Sequence, residues 1–414
     1  MKMNDEEQAM AAGEFGPLRR WAIEHQLKVG GYFGADDFVP VAQAHIMCDT
    51  ESLGDAGVEW LERWTGLPRE QRRVRVPTIT DPRGTDFEKA NGLRQQDWMV
   101  TRERRTVAAL EALDVLMTNT CINYQTIMPP LLGDHVAYGD TGVVIYCNSV
   151  LGARSNFEGG PSALSAGLTG RTPRYGFHLD KTRRPSVRID VKYTPRALNE
   201  WGALGALVGK LAGDYWHVPV VTGIDIVPGS DDMKHFGAAA ASFGSLALFH
   251  IAGVTPEAKD LSFMKGTEGL PVHSVTQDDL KVLQRRYRQD DGDIDLVVFS
   301  APQLSIVEMQ QVADLLEGRH VKMPLLAITS PQVKPDADRM GITKRIEDAG
   351  GTVLSGMCFY NSYAREMAEA NNWKRLATNS AKLVNIIGGY GYTPTLLGME
   401  SCVDLACKGK VRHG

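Results

Sequence analysis

The stretch Thr141–Leu164, TGVVIYCNSVLGARSNFEGGPSAL, holds the densest set of groups able to grip a small polar molecule. Asn148 and Ser149 can both donate and accept hydrogen bonds, and the guanidinium of Arg154 can grip a carboxylate with two parallel bonds. Ser155, Asn156 and Glu158 follow at once. A turn needs only Gly and Pro, so this many functional groups point to a binding loop. The β-branched run Val143–Tyr146 reads as a buried strand, and Pro161 as the opening of a helix. A polar loop between a strand and a helix sits at the carboxyl end of a sheet, where open α/β sheets take their ligands. Arg154 could instead pair with Glu158 and simply brace the loop.

Sulfur is the second feature. Cys121 ends the predicted strand Leu113–Met117 and has Thr118, Asn119, Thr120, Asn123 and Gln125 around it. Such a polar setting suits a ligand or a reactive thiol better than a core residue. The six cysteines, at 48, 121, 147, 358, 402 and 407, are scattered and make no Cys-x-x-Cys pair. Reduced thiols are therefore expected, and four of the six read as small buried hydrophobes.

The elements that must position these groups alternate between strand and helix patterns. A helix is expected over Gly13–Leu27, and a strand over Phe38–Ala44 that delivers His45. Helical spacing resumes at Val58, Leu61 and Trp64. Val74–Ile79 is a strand that runs out into Thr80-Asp81-Pro82-Arg83-Gly84. Arg94–Ala112 is an amphipathic helix whose Arg102, Glu103, Arg104 and Arg105 read as a solvated face. Ser186–Tyr193, Val218–Ile226 and Leu246–Ile251 read as strands, with a Gly/Ala-rich helix at Ala197–Ala212. The small residues Ala238–Ser245 suggest close helix packing, and Thr255–Leu280 reads as irregular linker. The last lobe is a β-α-β-α-β unit: strands at Ile294–Phe299, Leu325–Thr329 and Thr352–Leu354, with helices at Gln303–Leu316 and Pro335–Ala349.

Composition bounds the function. A chain of 414 residues exceeds one simple core and implies two or three lobes. Hydrophobic content of 43% and charged content of 23% are ordinary for a soluble enzyme. A net charge of −5 argues against a nucleic-acid partner. No apolar run approaches the ~20 residues that cross a bilayer, and the acidic start MKMNDEEQAM is unlike a signal peptide, so a cytoplasmic protein is expected. No glycine-rich phosphate loop follows any strand, which leaves nucleotide binding unsupported.

NSVLGARSNFEGGPSAL, followed by GRTPRYGFHLD at Gly170–Asp180, closely resembles the aconitase X family. Gly54-Asp55-Ala56-Gly57, Val76–Gly84, Thr120-Cys121 and Thr378-Asn379-Ser380 stand in the family's order, so the resemblance spans most of the chain. It implies an α/β fold: an aconitase-like, multi-lobe arrangement of parallel or mixed sheets with helices on both faces and an active cleft between lobes. The lobes are expected at 1–195, containing the NSVLGARSNFEGG loop, at 196–285 as a middle lobe with linker, and at 286–414 with the tail. The small swivelling domain of fused members is expected to be absent and supplied by a separate small subunit.

The implied activity is a hydro-lyase (dehydratase) acting on a small hydroxy or amino acid, foremost cis-3-hydroxy-L-proline, by removal of an α-proton and loss of water. Phosphomevalonate dehydration is the family's other activity. The implied cofactor is an iron–sulfur cluster or a mononuclear iron held by family cysteines corresponding to Cys121 and Cys358. A third ligand is expected where this chain has Ala301, in Ser300-Ala301-Pro302-Gln303, and Cys147 is a weak substitute. Catalytic candidates are Cys121, Cys358, Ser149 and Lys382. Substrate-binding candidates are His45, Asn148, Arg154, Ser155, Asn156, Glu158, Asn379 and Ser380, with Arg154 taking the substrate carboxylate and Lys382 forming a positive wall. Ser380 could instead be a helix cap. Loss of a ligand at Ala301 leaves open a metal-independent racemase or epimerase using the two thiols, and a degenerate, non-catalytic member.

Overall fold

In the computed structural model, which describes residues 1–260, 263, 266–288 and 294–409, three sheets built wholly of parallel strands follow one another along the chain. The first lobe has β1 (Phe38–Pro40), β2 (Ala44–Ile46), β3 (Thr78–Thr80), β4 (Ala137–Tyr138) and β5 (Arg171–Pro173). β2 lies between β3 and β4, while β1 and β5 make a separate antiparallel ribbon. The strand expected at Phe38–Ala44 is therefore two strands, and His45 lies within the second. Leu113–Met117 contributes only a bridge from Leu116 to Ile79. Helix Asp97–Ala112 carries Glu103 on its inner side, almost fully buried, so the expected solvated face is three arginines without that carboxylate.

Val143–Tyr146 is not a strand. Thr141–Tyr146 is a helix that widens into a π-helical turn at Cys147–Leu151 and stops at Gly152, whose φ of +70° favours glycine. Asp140 caps it by accepting from the Val143 N–H at 2.9 Å. Every residue from Gly142 to Ser149 is buried. A helix enclosed on all sides has no polar face, so its sequence lacks the helical period and imitates a buried strand. Helix Gly160–Thr169 begins with Pro161 in its first turn, as expected.

The second lobe has β6 (Val187–Val191), β7 (Pro219–Thr222), β8 (His250–Ile251) and β9 (Val272–Val275), in the order β8-β7-β6-β9. Part of the expected linker Thr255–Leu280 is thus strand and the start of helix Gln277–Arg286; residues 261, 262, 264 and 265 of that span lie outside the described residues. Helices Leu198–Ala212 and Ser230–Gly244 meet through their small residues. A Cβ on Gly205 would stand 2.1 Å from the Phe236 carbonyl oxygen, and one on Gly244 would stand 2.1 Å from that of Gly209. Only glycine permits that approach.

The third lobe carries β10 (Leu296–Leu304), β11 (Leu325–Thr329), β12 (Thr352–Ser355), β13 (Arg375–Thr378) and β14 (Thr393–Leu396), all parallel, in the order β12-β11-β10-β13-β14. Successive residues of a strand face opposite sides. Val297, Phe299, Leu325 and Ala327 enter one core with helices Ile306–Leu315, Ile342–Asp348 and Met399–Lys408; Leu296, Val298, Leu326 and Ile328 enter another with helices Ala364–Asn371 and Ala381–Ile386. Helices therefore cover both faces, and each such Val, Leu, Ile or Phe side chain contributes about 1.5–3 kcal/mol by burial. The helix expected at Pro335–Ala349 is two, Lys334–Arg339 and Ile342–Asp348, separated at Gly341.

Polar clasps fix the lobes to one another. Between the second and third, the ammonium of Lys234 pairs with Glu308, while His235 reaches the same carboxylate at 2.7 Å. The Lys234 ammonium and the His235 hydrogen bond hold Glu308 down at about 2 against the opposing effect of burial. Between the first and third, the Ser355 N–H donates to Asp86 at 2.8 Å, the Tyr363 N–H to Glu51 at 2.7 Å, and Gln332 Nε2 to the Thr118 carbonyl at 2.9 Å.

Candidate active site

Five chain segments that end parallel strands, or follow them, converge at the seam between the first and third lobes. They are Thr118–Cys121 after the Leu116 bridge, Asp140 beyond β4, Ser300–Gln303 within the irregular end of β10, Gly356–Cys358 after β12, and Asn379–Lys382 after β13. Gln303 ties three of them together. Its Oε1 accepts from the Cys121 N–H at 3.2 Å, and its Nε2 donates to the carbonyls of Asn119 at 3.1 Å and Met357 at 3.2 Å. Its own N–H points at the Cys121 sulfur at 3.4 Å. Ser300 Oγ lies 3.7 Å from the sulfur of Cys358. Two cysteines 237 positions apart in sequence are thereby set against one turn of β10, and each sulfur lies within the electrostatic reach of the other's charge.

The charge at this place is an ion pair. Lys382 Nζ stands 3.5 Å from Asp140 Oδ2, both side chains almost wholly buried, and 5.5 Å from the ring centre of Tyr360. Burial works against the ammonium, but Asp140 and the two sulfurs more than restore it, so Lys382 is held above its ordinary value. Burial pushes the Cys121 thiol well up; it pushes Cys358 up to about 11, where Lys382 and Ser300 oppose it. Cys358 is thus the more readily ionised of the two. Asp81, buried and near both Asp49 and Asp140, has its carboxyl pushed well up, and the Tyr360 hydroxyl moves the same way because of burial.

His45 forms the back of this cluster. Its Nε2 is 2.9 Å from the Thr120 carbonyl, which can only accept, so Nε2 carries the proton. Burial holds the ring neutral. Four buried polar atoms around the cluster have no partner among the described residues: His45 Nδ1, Asp81 Oδ2, Tyr124 OH and Asn379 Nδ2. Buried groups are normally satisfied; others elsewhere in the chain are also without partners, but these four stand together with the two sulfurs and the ion pair.

The candidates therefore divide. Cys121, Cys358 and Lys382 are brought together, with His45 behind them. Ser380 caps helix Ala381–Ile386 by accepting from the Leu383 N–H at 3.1 Å, and donates to the Ala301 carbonyl at 2.5 Å. It is a strut at the edge of the cluster rather than a free substrate ligand. The central loop is not brought in as a set of free groups. Asn148 donates to the carbonyls of Ser155 and Ala247 and accepts from the Ser155 N–H; Ser149 accepts from the Phe249 N–H. Ser155 donates to the Asn156 carbonyl, and Asn156 accepts from Phe177 and Tyr215. Glu158 accepts from Thr172, and burial pushes its carboxyl up to about 7. Arg154 pairs with Asp180 at 2.5 Å, not with Glu158. These side chains fold the loop against its neighbours, where the expectation was that they hold substrate.

Asp140, Asp81, Gln303 and Tyr360 were not expected as site residues. Asp140 had a visible signal: an Asp immediately before an apolar run is a helix start, and a helix starting there aims the cap's second oxygen inward. Gln303 had none, because its role depends on three loops meeting.

The iron centre implied by the resemblance finds too few donors. Ala301 offers a methyl group where a thiolate is expected, and Cys147 is buried in the core with its thiol raised by burial alone. Among the described residues no three His, Cys, Asp or Glu side chains are grouped to hold a metal ion. No chemical step is routed through iron below.

Comparison with known proteins decides the lineage. The aconitase X first-domain model matches residues 1–181, the second-domain model 185–285 and the third-domain model 294–408. The chain belongs to the aconitase X family. It is 35% identical over 401 residues to the phosphomevalonate dehydratase large subunit of Methanothermobacter thermautotrophicus, covering 96% of this chain and 95% of that one. It is 28% identical to the cis-3-hydroxy-L-proline dehydratase of Hypocrea jecorina, covering 99% of this chain but 69% of the longer relative. The crystal structure of Thermococcus kodakaraensis aconitase X in its holo-form superposes with a TM-score of 0.88 at 31% identity, covering 98% of this chain and 100% of that one. The protein is a hydro-lyase of this family, with its α/β architecture. Among the described residues no helix is long and apolar enough to cross a membrane.

Proposed function

We propose that this aconitase X dehydrates a small hydroxy acid of the 3-hydroxyproline type at the Cys121–Cys358–Lys382 seam. The observation that carries the substrate class is where the cations are spent. A phosphate ester would need several free positive groups, yet Arg154 is paired with Asp180 and Arg171 with Glu6 and Glu7, which leaves the seam the Lys382 ammonium, itself shared with Asp140. One buried ammonium suits one carboxylate. Lys382 would meet that carboxylate and steady the negative charge that grows on it as the α-proton leaves. The sulfur that stands as thiolate beside Lys382 would take that proton, and the other would give its proton to the departing hydroxyl, releasing water. The two sulfurs end with their protonation exchanged, and solvent resets them. Asp140 would hold Lys382 in position.

We further propose that a separate small subunit completes the cleft, since the curated relatives matched nearly end to end are named large subunits. A second reading, phosphomevalonate dehydration, is favoured by the 31–35% identity to several such subunits and by Arg83, whose buried Nε has no hydrogen-bond partner among the described residues. The chain, co-produced with a small subunit, is tested on cis-3-hydroxy-L-proline and mevalonate 5-phosphate. Turnover of the first supports the main reading, turnover of the second alone replaces it, and full turnover by the large chain by itself removes the small subunit from the proposal.

A further inference from the structure

We propose that this aconitase X works without an iron–sulfur cluster: Cys121 and Cys358 meet substrate as bare sulfur groups in a pocket whose charge is supplied by the Lys382–Asp140 pair. The inference deepens the dehydratase reading, and it rests on which atoms occupy the seam.

A cluster held by the protein needs a third thiolate beside Cys121 and Cys358, and the turn that faces both sulfurs supplies none. The Gln303 N–H points at Cys121 at 3.4 Å, and the Ser300 hydroxyl stands 3.7 Å from Cys358. The residue between those two, Ala301, is 1% exposed, and its carbonyl is tied to Ser380 at 2.5 Å. The turn that could carry a third thiolate is thus filled by a methyl group and locked from behind. No rescue comes from elsewhere, since no third donor joins these two cysteines among the described residues. Cys147 lies in the apolar core beside Tyr124 and Tyr146 and has no electrostatic link to either site sulfur.

The second line of argument is charge. Lys382 is a fixed buried cation within the electrostatic reach of both sulfurs, and its carboxylate partner Asp140 is held by the Val143 N–H of the helix it caps. A metal ion entering between the thiols would face that ammonium, and like charges in a water-poor site repel strongly. Gln303 then holds the two cysteine loops together through its three side-chain hydrogen bonds, a bracing that a cluster would otherwise provide.

The test is metal content, which does not depend on knowing the substrate. The chain, alone and co-produced with a small subunit, is purified without oxygen, incubated with ferrous iron and sulfide, and desalted. Iron and acid-labile sulfide should fall far below one per chain, with no visible absorption band. Stoichiometric iron that is lost in Cys121→Ser or Cys358→Ser overturns the proposal. Ala301→Cys, checked for folding by circular dichroism, should retain iron after the same treatment. A folded A301C chain that still takes up none overturns the argument that the missing thiol excludes the metal. If A301C does not fold, the reconstituted natural chain decides alone. Failure of the dehydratase reading would show differently, as no turnover of any hydroxy acid while the iron count stays at zero.

Discussion

The loop Cys147–Glu158 and the seam around Cys121, Cys358 and Lys382 are both polar and both buried, yet they are built on opposite terms. In the loop every candidate side chain has a protein partner: Asn148 alone makes three hydrogen bonds, two of them across the bend to Ser155. At the seam, His45 Nδ1, Asp81 Oδ2, Tyr124 OH and Asn379 Nδ2 have none. The loop's polar groups replace backbone partners that an irregular segment cannot supply for itself. The seam's groups carry a cost of about 1–3 kcal/mol each for lacking a partner, which a structural role would not require. Density of polar residues in a sequence therefore marks a demanding fold as readily as a site, and the distinction lies in whether the groups are spent.

The largest effect should come from the seam. Replacing both members of the buried pair, Lys382→Met with Asp140→Asn, avoids stranding a lone charge, since Asn can still cap the helix. We expect dehydratase activity to fall at least about a thousandfold, the loss of some 4 kcal/mol of transition-state stabilisation, with the circular dichroism spectrum unchanged. Cys358→Ser should fall by a comparable factor, because a hydroxyl ionises far less readily than a thiol. Activity within tenfold of the natural enzyme in both variants would move the chemistry away from this seam.

The loop should give the reverse pattern. Asn148→Ala leaves the Ser155 N–H and two carbonyls without partners in a fully buried place. A loss of about 3 kcal/mol in unfolding free energy is expected, with kcat and KM of the folded fraction little changed. Denaturant unfolding and steady-state kinetics on the same preparation separate the two quantities. A KM raised tenfold at unchanged stability would return Asn148 to the substrate.

Much of the fold was legible for a physical reason. The third lobe's strands alternate between two cores, and its helices keep one polar side, so both periods survive in the residues. Legibility failed where burial was complete. Thr141–Tyr146 has no polar face to mark it as a helix, and Glu103 stands in a run of arginines that reads as surface. At the site, Cys121 and Cys358 could be singled out because cysteines are few and their polar neighbours unusual. Gln303 and Asp81 could not, since Gln and Asp are common and only the meeting of distant loops gives these two a role. The loop's serines and asparagines were visible, but their protein partners were not, because sequence does not tell a satisfied polar group from a waiting one.

Glu103 offers a middle case, a buried carboxyl that is satisfied yet strained by its charge. The Thr50 hydroxyl at 2.8 Å and the Gly84 N–H at 3.0 Å both donate to Oε2. Burial nevertheless pushes the carboxyl from 4.5 to about 7. Folding thus favours the protonated form. This contribution is fully present below about pH 4.5 and is lost as the pH rises to about 7. Glu103→Gln keeps a carbonyl oxygen for both donors and removes the charge. It should raise stability at pH 8 by about 2 kcal/mol and change little at pH 4.5. Thermal unfolding across that range tests it, and a variant less stable than the natural chain at pH 8 would show that the ionised carboxylate is the form this clasp uses.

The smallest effect should come from Arg154, the residue whose chemistry looked most suited to a substrate carboxylate. Its guanidinium pairs with Asp180 at 2.5 Å and also donates to the His178 carbonyl at 3.2 Å. The Arg154 side chain is 24% exposed and its partner 84% exposed, so water competes for both ends of the pair. Arg154 holds the Asp180 carboxyl below its usual range mainly through their hydrogen bond, but at that exposure the bond translates into little folding free energy. Arg154→Ala should therefore cost no more than about 1 kcal/mol and leave KM within twofold. The backbone bridge between His135 and Arg154 keeps the segment in register without the side chain. A KM raised tenfold or more, at unchanged stability, would mean that Arg154 leaves Asp180 for the substrate, and the contrast between a satisfied loop and a waiting seam would then hold only for the empty protein.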